Sequence, residues 1–371
     1  MLNIRKDDHN AFDAYLRLLG KTAYQKAQVK AAVAVNSALL HFYYRVGREI
    51  SLRNYESEYG SAFFKKLSID LRKEMPDASG FSVSNLRYMK WFYQRYCGFL
   101  SSGQDDFEFS AIAQQPAVQS DKGRFAMENA QQVAVELFSV PWGHHMAILG
   151  KAKSAEESLF YVHEAYANGW SRGVLLNFLK SGLYFRQGKA TTNFALTLPE
   201  TDSDLAQQLT RDPYDFNFIA IERRYKEKRL KDALMGSLQQ YLLELGSGFA
   251  FLGREVRIQI GEKEKFMDML FYNIRLRCYV VVEIKVDELD SDNLGQLGLY
   301  VNAVNSLMRK EGDAPTIGLL IVGSKDEVFA KYALGAMSVP IGISEYTLTN
   351  FLPDELKSDL PSVEEIEEGI K

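Results

Sequence analysis

The chain of 371 residues is long enough for two domains of ordinary size, and its 46% of hydrophobic residues excludes an intrinsically disordered protein. No apolar run approaches the roughly 20 residues that a membrane span needs, and the charged start MLNIRKDDHN does not fit a signal peptide, so we expect a soluble, cytoplasmic protein without membrane contact. The two cysteines are far apart in sequence, which excludes a zinc site built on cysteine.

The net charge of −4 is unevenly distributed along the chain. Residues 1–195 carry 24 Lys and Arg against 18 Asp and Glu, whereas the remainder carries 20 against 30. The basic excess in the first half favours contacts with nucleic-acid phosphates. A difference of this size is also common in proteins that bind no nucleic acid, so charge alone leaves both interpretations open.

The first half of the chain has the hydrophobic periodicity of helices, and we assign residues 1–190 to a mainly helical domain. Apolar side chains at helical spacing predict helices over residues 23–54, 63–73, 82–96, 156–168 and 171–188. A further helix is predicted to begin at the PWGHH sequence. Residues 98–132 are rich in Ser, Gln, Asp and Gly and show little periodicity, which indicates an irregular insert within this domain.

The predicted helix over residues 82–96 is basic and aromatic and follows a tight turn. Its basic side chains are Arg87, Lys90 and Arg95, and Ser82 is a suitable N-cap. A helix of this kind can lie in a DNA groove, where the three side chains would contact the substrate. The same pattern also describes a bundle helix with a solvated basic face, so the sequence supports two interpretations.

The second half, residues 191–371, alternates between helical and strand patterns. A helix is predicted over residues 222–245. The strands that follow are predicted over 249–252 with 255–260, 266–272, 277–286, 316–322 and 341–346, and the helices over 291–309 and 326–337. This order predicts an α/β or α+β domain in which an antiparallel portion leads through a helical crossover to further strands.

Charged residues interrupt two neighbouring apolar strands of this domain. Glu283 and Lys285 lie in CYVVVEIKV, and side chains two residues apart on a strand point to the same face. The preceding strand, KFMDMLFY, contains Asp268 among apolar neighbours. Burial of an unpartnered charge is costly, so these positions need an explanation. A Glu-x-Lys pair alone is often a surface ion pair, and the additional acid on the neighbouring strand favours a site.

The two acids have the spacing of residues on two strands of a hairpin. If the strands pair antiparallel, the carboxylates of Asp268 and Glu283 approach each other and can share a divalent cation. Hard oxygen ligands completed by water suit Mg²⁺ or Mn²⁺. Lys285 would then position the attacking water and stabilise negative charge on a phosphate.

The pattern of Asp268, Glu283 and Lys285 resembles the signature of PD-(D/E)XK phosphodiesterases, and the surrounding sequence resembles the bacterial YhcG-like family. In the second half the resemblance lies in DPYDFNF, LLELGSGFAFLGRE, DMLFYNIRLRCYVVVEIK, GQLGLYVNAVN, PTIGLLIV and PIGISEY. In the first half it lies in GFSVSNLRYMKWF, PWGHHMAIL, GWSRGVLLNFL and RQGKATTNF. The chain departs from the signature at Met267, where the superfamily nominally has proline.

The resemblance implies a mainly helical N-terminal domain followed by a restriction-endonuclease-like mixed sheet flanked by helices. It also implies further site residues. Glu244 matches a carboxylate that often assists metal binding in this superfamily, and an acid near a helix C-terminus is otherwise mildly unfavourable. Gln296 and Tyr300 match a pair that commonly faces the site, with Gln296 orienting Lys285 or the substrate. A half-buried helix face explains the last two equally well.

The function that follows is Mg²⁺-dependent hydrolysis of DNA phosphodiester bonds. DNA defence, restriction and recombination are the candidate processes for this activity. DNA rather than RNA, a homodimer and partner proteins of a DNA-processing system are implied by the resemblance. The N-terminal domain would hold or select the substrate, or mediate self-association. The alternative is a non-catalytic nucleic-acid-binding or assembly protein that retains the nuclease-like fold.

Overall fold

The computed structural model of the chain describes residues 23–53, 56–77, 79–100, 130–222 and 224–349. The chain divides between residues 180 and 181 into two compact units, the first mainly helical and the second built around a sheet. Within the described ranges, none of the helices combines the length and the apolar character that a membrane span requires.

The first unit is built from helices in every range that the structure describes. They are α1 (Ala23–Arg53), α2 (Glu56–Tyr59), α3 (Phe63–Glu74), α4 (Val83–Tyr96), α5 (Ala130–Ser139), α6 (Trp142–Lys151), α7 (Ala155–Asn168) and α8 (Arg172–Ser181). As predicted, Ser82 caps α4, since its hydroxyl accepts from the N–H of Asn85 at 3.2 Å. Gly47 lets α1 approach α4 closely, because a Cβ there would lie 2.0 Å from the carbonyl oxygen of Met89.

The prediction of an irregular insert over residues 98–132 is wrong at its C-terminal end. Its last three residues, 130–132, form the first turn of α5, whose apolar side chains Val133, Ala134 and Leu137 are buried. Polar residues at the start of this helix masked the helical period. Most of the insert, residues 101–129, lies outside the described residues.

In its described residues, the second unit is a seven-stranded mixed sheet with helices around it. The strands are β1 (Thr191–Thr192), β2 (Tyr214–Asp215), β3 (Phe249–Ile260), β4 (Lys263–Asn273), β5 (Cys278–Ile284), β6 (Ile317–Val322) and β7 (Ile341–Thr347). The helices are α9 (Leu183–Arg186), α10 (Phe194–Thr197), α11 (Glu200–Leu209), α12 (Glu227–Gly236), α13 (Leu238–Leu245), α14 (Ser291–Leu307) and α15 (Glu327–Gly335). The fold class predicted from the sequence is confirmed.

The sheet changes from antiparallel to parallel at its centre. The strand order is β1-β7-β6-β5-β4-β3, with β2 paired to β7. Strands β3, β4 and β5 run antiparallel, whereas β5, β6 and β7 run parallel, and α14 makes the crossover from β5 to β6. Ligands of such sheets bind beyond the carboxyl ends of the parallel strands, and β5 ends at Glu283 and Ile284.

Two local predictions differ from the structure. The helix predicted over 222–245 is two helices, because Gly236 favours a break and the N–H of Ser237 turns back to the carbonyls of Ala233 and Leu234. The strands predicted at 249–252 and 255–260 are one strand, β3, whose register shifts at Leu252 in a bulge.

Both faces of the central strands are covered by helices. On one face, Leu230 and Leu234 of α12 and Tyr241 of α13 pack against the sheet, and on the other Leu297 and Val301 of α14 do so. The apolar sequence of β5 is therefore explained by burial on both sides, as expected for a central strand. The charged residues Glu283 and Lys285 therefore lie at the end of a strand that is buried on both faces.

The packing of α14 on β6 yields a test of this core. A Cβ at Gly318 would lie 2.9 Å from Cγ of Leu297 and 3.0 Å from Val301, so we expect Gly318→Ala to lower the free energy of unfolding by about 1–3 kcal/mol in urea denaturation. The control is Gly295→Ala on α14, where no atom lies within 4 Å of the added Cβ. This variant should be neutral or more stable by up to about 1 kcal/mol. Equal stability of the two variants would contradict the packing.

Candidate active site

Asp268 and Glu283 lie where the pairing of β4 and β5 ends. The last paired residues of this ladder are Met269 and Val282, so continuing the register by one step sets Asp268 opposite Glu283. At this point, hydrogen bonds from backbone N–H groups to the two carboxylates take the place of the backbone–backbone hydrogen bonds of the ladder. The N–H of Asp268 donates to Oε1 of Glu283 at 2.9 Å, and the N–H of Ile284 donates to Oδ2 of Asp268 at 3.1 Å. Each carboxylate is therefore fixed by the backbone of the opposite strand.

The Glu283 carboxyl is 1% exposed, and its pKa is raised to about 8. Burial is the main cause, and the negative charge of Asp268 adds to it. The N–H of Asp268 and the charges of Lys285 and Lys231 lower the pKa, but they do not offset these effects. The positive charge near Glu283 therefore compensates its carboxylate only in part, and a cation bound between the two acids would stabilise the ionised pair.

Lys285 follows Glu283 on the same edge of the sheet. Its backbone N–H donates to the carbonyl of Ile321 on β6 at 2.9 Å, which fixes the main chain at this point. Its ammonium lies 3.8 Å from Oε2 of Glu283 and 3.5 Å from Oε1 of Glu227. The side chain is half-buried, so the charge is held at the site and remains accessible to a ligand.

Helix α12 contributes two site residues that the sequence did not single out, Glu227 and Lys231. They are one turn apart, and Nζ of Lys231 lies 2.5 Å from Oε1 of Glu227 and 2.5 Å from Oδ2 of Asp268. Burial lowers the pKa of Lys231, but its hydrogen bonds to Asp268 and Glu227 outweigh this and raise it above the usual value. In the sequence, both residues lie in the charged stretch EKRLKD, which looks like a solvated helix face.

Helix α14 brings Gln296 and Tyr300 to the strand that carries Asp268. The amide of Gln296 donates to the Tyr300 hydroxyl at 2.9 Å, and that hydroxyl donates to the carbonyl of Phe266 at 3.0 Å. Burial raises the pKa of Tyr300, and the charges of Glu283 and Asp268 contribute. Tyr300 is therefore close to the acids, and Gln296 contacts the site through this tyrosine.

The comparisons with known proteins match this architecture in both halves. Residues 21–186 match the family described as the DUF1016 N-terminal domain, and residues 207–361 match the family described as the YhcG PDDEXK nuclease domain. The chain therefore carries a DUF1016 N-terminal domain and a YhcG-type PDDEXK nuclease domain. The prediction of a YhcG-like chain is confirmed. The expected domain boundary at 190/191 falls between the two matched regions.

Two individual proteins are similar to this chain. "Putative nuclease YhcG" of Escherichia coli (strain K12) is 28% identical over 338 residues, which cover 89% of this chain and 88% of that protein. The crystal structure of a repair endonuclease from Pyrococcus abyssi is 19% identical, with a TM-score of 0.23, over 35% of this chain and 49% of that chain. A structural likeness this weak has no bearing on function.

Glu244 of the nuclease domain lies in a different environment from the one predicted. Its carboxylate forms ion pairs with Arg186 and with Arg211, the latter at 3.0 Å, and it accepts the N–H of Asp215 at 2.9 Å. The side chains of Glu244, Arg186 and Arg211 are at most 6% exposed. Both carboxylate oxygens are occupied by arginine, an environment that favours a structural role, and assistance to a metal by Glu244 stays a prediction. The acid near the helix end is explained by this buried network.

The three basic residues of α4 contact other parts of the first unit. Arg95 donates to the carbonyls of Ala152 and Ser154 at 3.2 and 2.6 Å, which anchors the start of α7. Lys90 forms an ion pair with Glu56, and Arg87 lies over the ring of Phe64 at 5.5 Å from its centroid. These contacts support the bundle interpretation of the helix. Contact of these residues with DNA stays a prediction.

The donor set of the nuclease domain fits a hard divalent cation in part. Asp268 and Glu283 offer two adjacent carboxylates with too little positive charge, and Glu227 brings a third acid to their edge. Over the ranges that the structure describes, no group of three or more His, Cys, Asp or Glu side chains is arranged to hold a metal ion. The ammonium of Lys231 lies between the carboxylates of Glu227 and Asp268 instead. Two carboxylates with water completing the shell remain a suitable set for Mg²⁺.

The raised pKa of Glu283 predicts the pH dependence of stability. The carboxyl ionises near pH 4.5 in the unfolded chain and near pH 8 in the folded one, so the folded state holds a proton in this window. Stability should therefore fall as the pH rises from about 5 to about 8. Glu283→Gln cannot ionise, and in EDTA at pH 8 we expect it to exceed the wild type by about 1–3 kcal/mol in urea denaturation. The exposed Glu288→Gln is the control, and a gain in wild-type stability over this window would contradict the assignment.

The Glu244 network predicts a structural rather than a metal-binding phenotype. Glu244→Ala leaves two buried arginines without their carboxylate, so we expect a loss of about 3–5 kcal/mol in the free energy of unfolding. The exposed Gln240→Ala on the same helix should change it by less than about 0.5 kcal/mol. Under folding conditions, Mn²⁺ binding by Glu244→Ala should match the wild type in calorimetry. Unchanged stability with lost Mn²⁺ binding would instead support the predicted ligand role.

Proposed function

We propose that the second unit is a Mg²⁺-dependent nuclease that hydrolyses DNA phosphodiester bonds. The supporting observation is the set of Asp268, Glu283 and Lys285 at the end of the central strands of a domain that matches the YhcG PDDEXK nuclease family. The nuclease class is shared with the similar Escherichia coli protein, whose name is "Putative nuclease YhcG". DNA as substrate, magnesium and the site residues are our proposal.

The proposed roles follow from position and charge. Asp268 and Glu283 are held rigidly by each other's strands, so they present oxygen ligands with little loss of conformational freedom. Mg²⁺ would supply Lewis-acid activation of the phosphate and of a bound water. Lys285, half-buried beside Glu283, would orient that water and stabilise negative charge on the phosphate oxygens. Tyr300 and Gln296 would support the strand that carries Asp268.

The match of the first half to a second family extends the proposal to the rest of the chain. We propose that the DUF1016 N-terminal domain, within residues 1–190, selects the substrate or mediates self-association. We further propose a homodimer, in which two copies of the nuclease unit act on two DNA strands, and a role with partner proteins in DNA defence or processing. A sedimentation experiment on the full chain measures the oligomeric state directly.

A cleavage assay tests the nuclease proposal. The full chain is incubated with linear, circular, single-stranded and branched DNA and with RNA, in Mg²⁺, in Mn²⁺ and in EDTA. We expect DNA cleavage that requires the metal and falls at least about 100-fold in Lys285→Met, because a charge that stabilises the transition state is removed. Lys310→Met, which changes an exposed lysine of the same unit, is the control and should leave the rate unchanged.

The second candidate function is nucleic-acid binding without cleavage, and the same samples decide between the two. The observation that favours it is the ion pair of Lys231 with Asp268, which places an ammonium where the cation is expected. Equal DNA affinity with Mg²⁺ and with EDTA, together with no cleavage of any substrate, would support the binding function and exclude the nuclease proposal.

A further inference from the structure

Lys231 lies at the proposed nuclease site, but none of the roles proposed above is assigned to it. It is 9% exposed, although lysine side chains are seldom buried without a partner. Its ammonium bridges two carboxylates from different elements, Glu227 of α12 and Asp268 of β4, at 2.5 Å from each. This is not an ordinary surface ion pair, because the carboxylates of Glu227 and Asp268 both contact the same buried ammonium.

The position of this ammonium conflicts with a divalent cation on the same oxygen. Lys231 contacts Oδ2 of Asp268, and the same oxygen accepts the N–H of Ile284. A cation bound to Oδ2 at the usual distance of about 2.1 Å would lie within a few ångströms of the ammonium. Two like charges that close repel strongly in a site shielded from water. The ammonium must therefore move when the metal is bound there.

We propose that Lys231 is an internal counter-ion that occupies the cation position of the site and is displaced by the divalent metal. The proposal rests on the metal-dependent function proposed above. Helix α12 places Lys231 one turn after Glu227, so the displaced side chain stays at the edge of the site, next to Lys285. Released from Asp268, its ammonium keeps Glu227 as one partner and is free to take a second, which the phosphate backbone of the substrate would supply. Metal and substrate would therefore bind cooperatively.

A binding measurement on a matched pair of variants tests this role. Lys231→Met keeps an unbranched apolar side chain out to the ε position and removes the charged ammonium, whereas Lys228→Met removes a charge from an exposed position of the same helix. In calorimetric titration of the full-length proteins with Mn²⁺ and no DNA, we expect Lys231→Met to bind the ion roughly tenfold or more tightly than the wild type, because no ammonium competes. Lys228→Met should differ from the wild type by less than about twofold.

The opposite result separates this inference from the nuclease proposal. If Lys231 only supports Asp268, then Lys231→Met will bind Mn²⁺ equally or more weakly while the wild type still binds and cleaves, and the counter-ion role is wrong. If neither the wild type nor Lys231→Met binds Mn²⁺, the metal-dependent function itself is wrong, and the inference fails with it.

A second measurement needs no variant, in case Lys231→Met does not fold. Acetylation of the wild-type protein by a small amine-reactive reagent is followed at Lys231 by mass spectrometry, with the exposed Lys310 as internal reference. Displacement by Mn²⁺ should increase the acetylation rate of Lys231 several-fold relative to Lys310. An unchanged or lower relative rate in saturating Mn²⁺ would overturn the proposal.

Discussion

The candidate site depends on one constraint: the buried carboxylate of Glu283 and the half-buried carboxylate of Asp268 lie side by side where two strands separate. Asp268 and Glu283 each take a backbone N–H of the opposite strand, so neither side chain can move away from the other. Like charges held together in a dry environment are unstable unless positive charge is brought to them. Lys285, which directly follows β5, and Lys231 of α12 lie around this pair, and their arrangement follows from that requirement.

The second unit contains another buried acid, and the contrast between the two is informative. Glu244 is matched by two arginines and a backbone N–H, so its charge is fully compensated and its oxygens are occupied. Glu283 is compensated only in part, as the raised pKa of its carboxyl shows. A compensated buried acid fixes local structure, whereas an undercompensated one has capacity for a ligand. The two acids are buried to a similar extent. The amount of positive charge around each carboxylate therefore distinguishes Glu244 from Glu283, whereas burial does not.

The sequence predicted the parts of the site that interrupt a regular pattern. Asp268, Glu283 and Lys285 stand out because they break apolar strands, and the element order around them follows from hydrophobic periodicity. Glu227 and Lys231 carry no such signal, because charged residues one turn apart are ordinary on an exposed helix. Their burial arises only when α12 packs on the sheet. The ion pairs of Glu244 were not predicted for the same reason, since Arg186 and Arg211 are distant from it in sequence.

The buried network of Glu244 also determines where the nuclease unit can be cut. Arg186 precedes the matched nuclease region, which begins at residue 207, and so does Asn193, whose amide oxygen accepts the N–H of Ile341 at 2.8 Å and fixes the start of β7. A fragment that starts at residue 207 would leave Glu244 half-compensated and β7 without β1 beside it. A fragment that starts at Ser181 would retain these contacts, so the second compact unit extends beyond the region that matches the nuclease family.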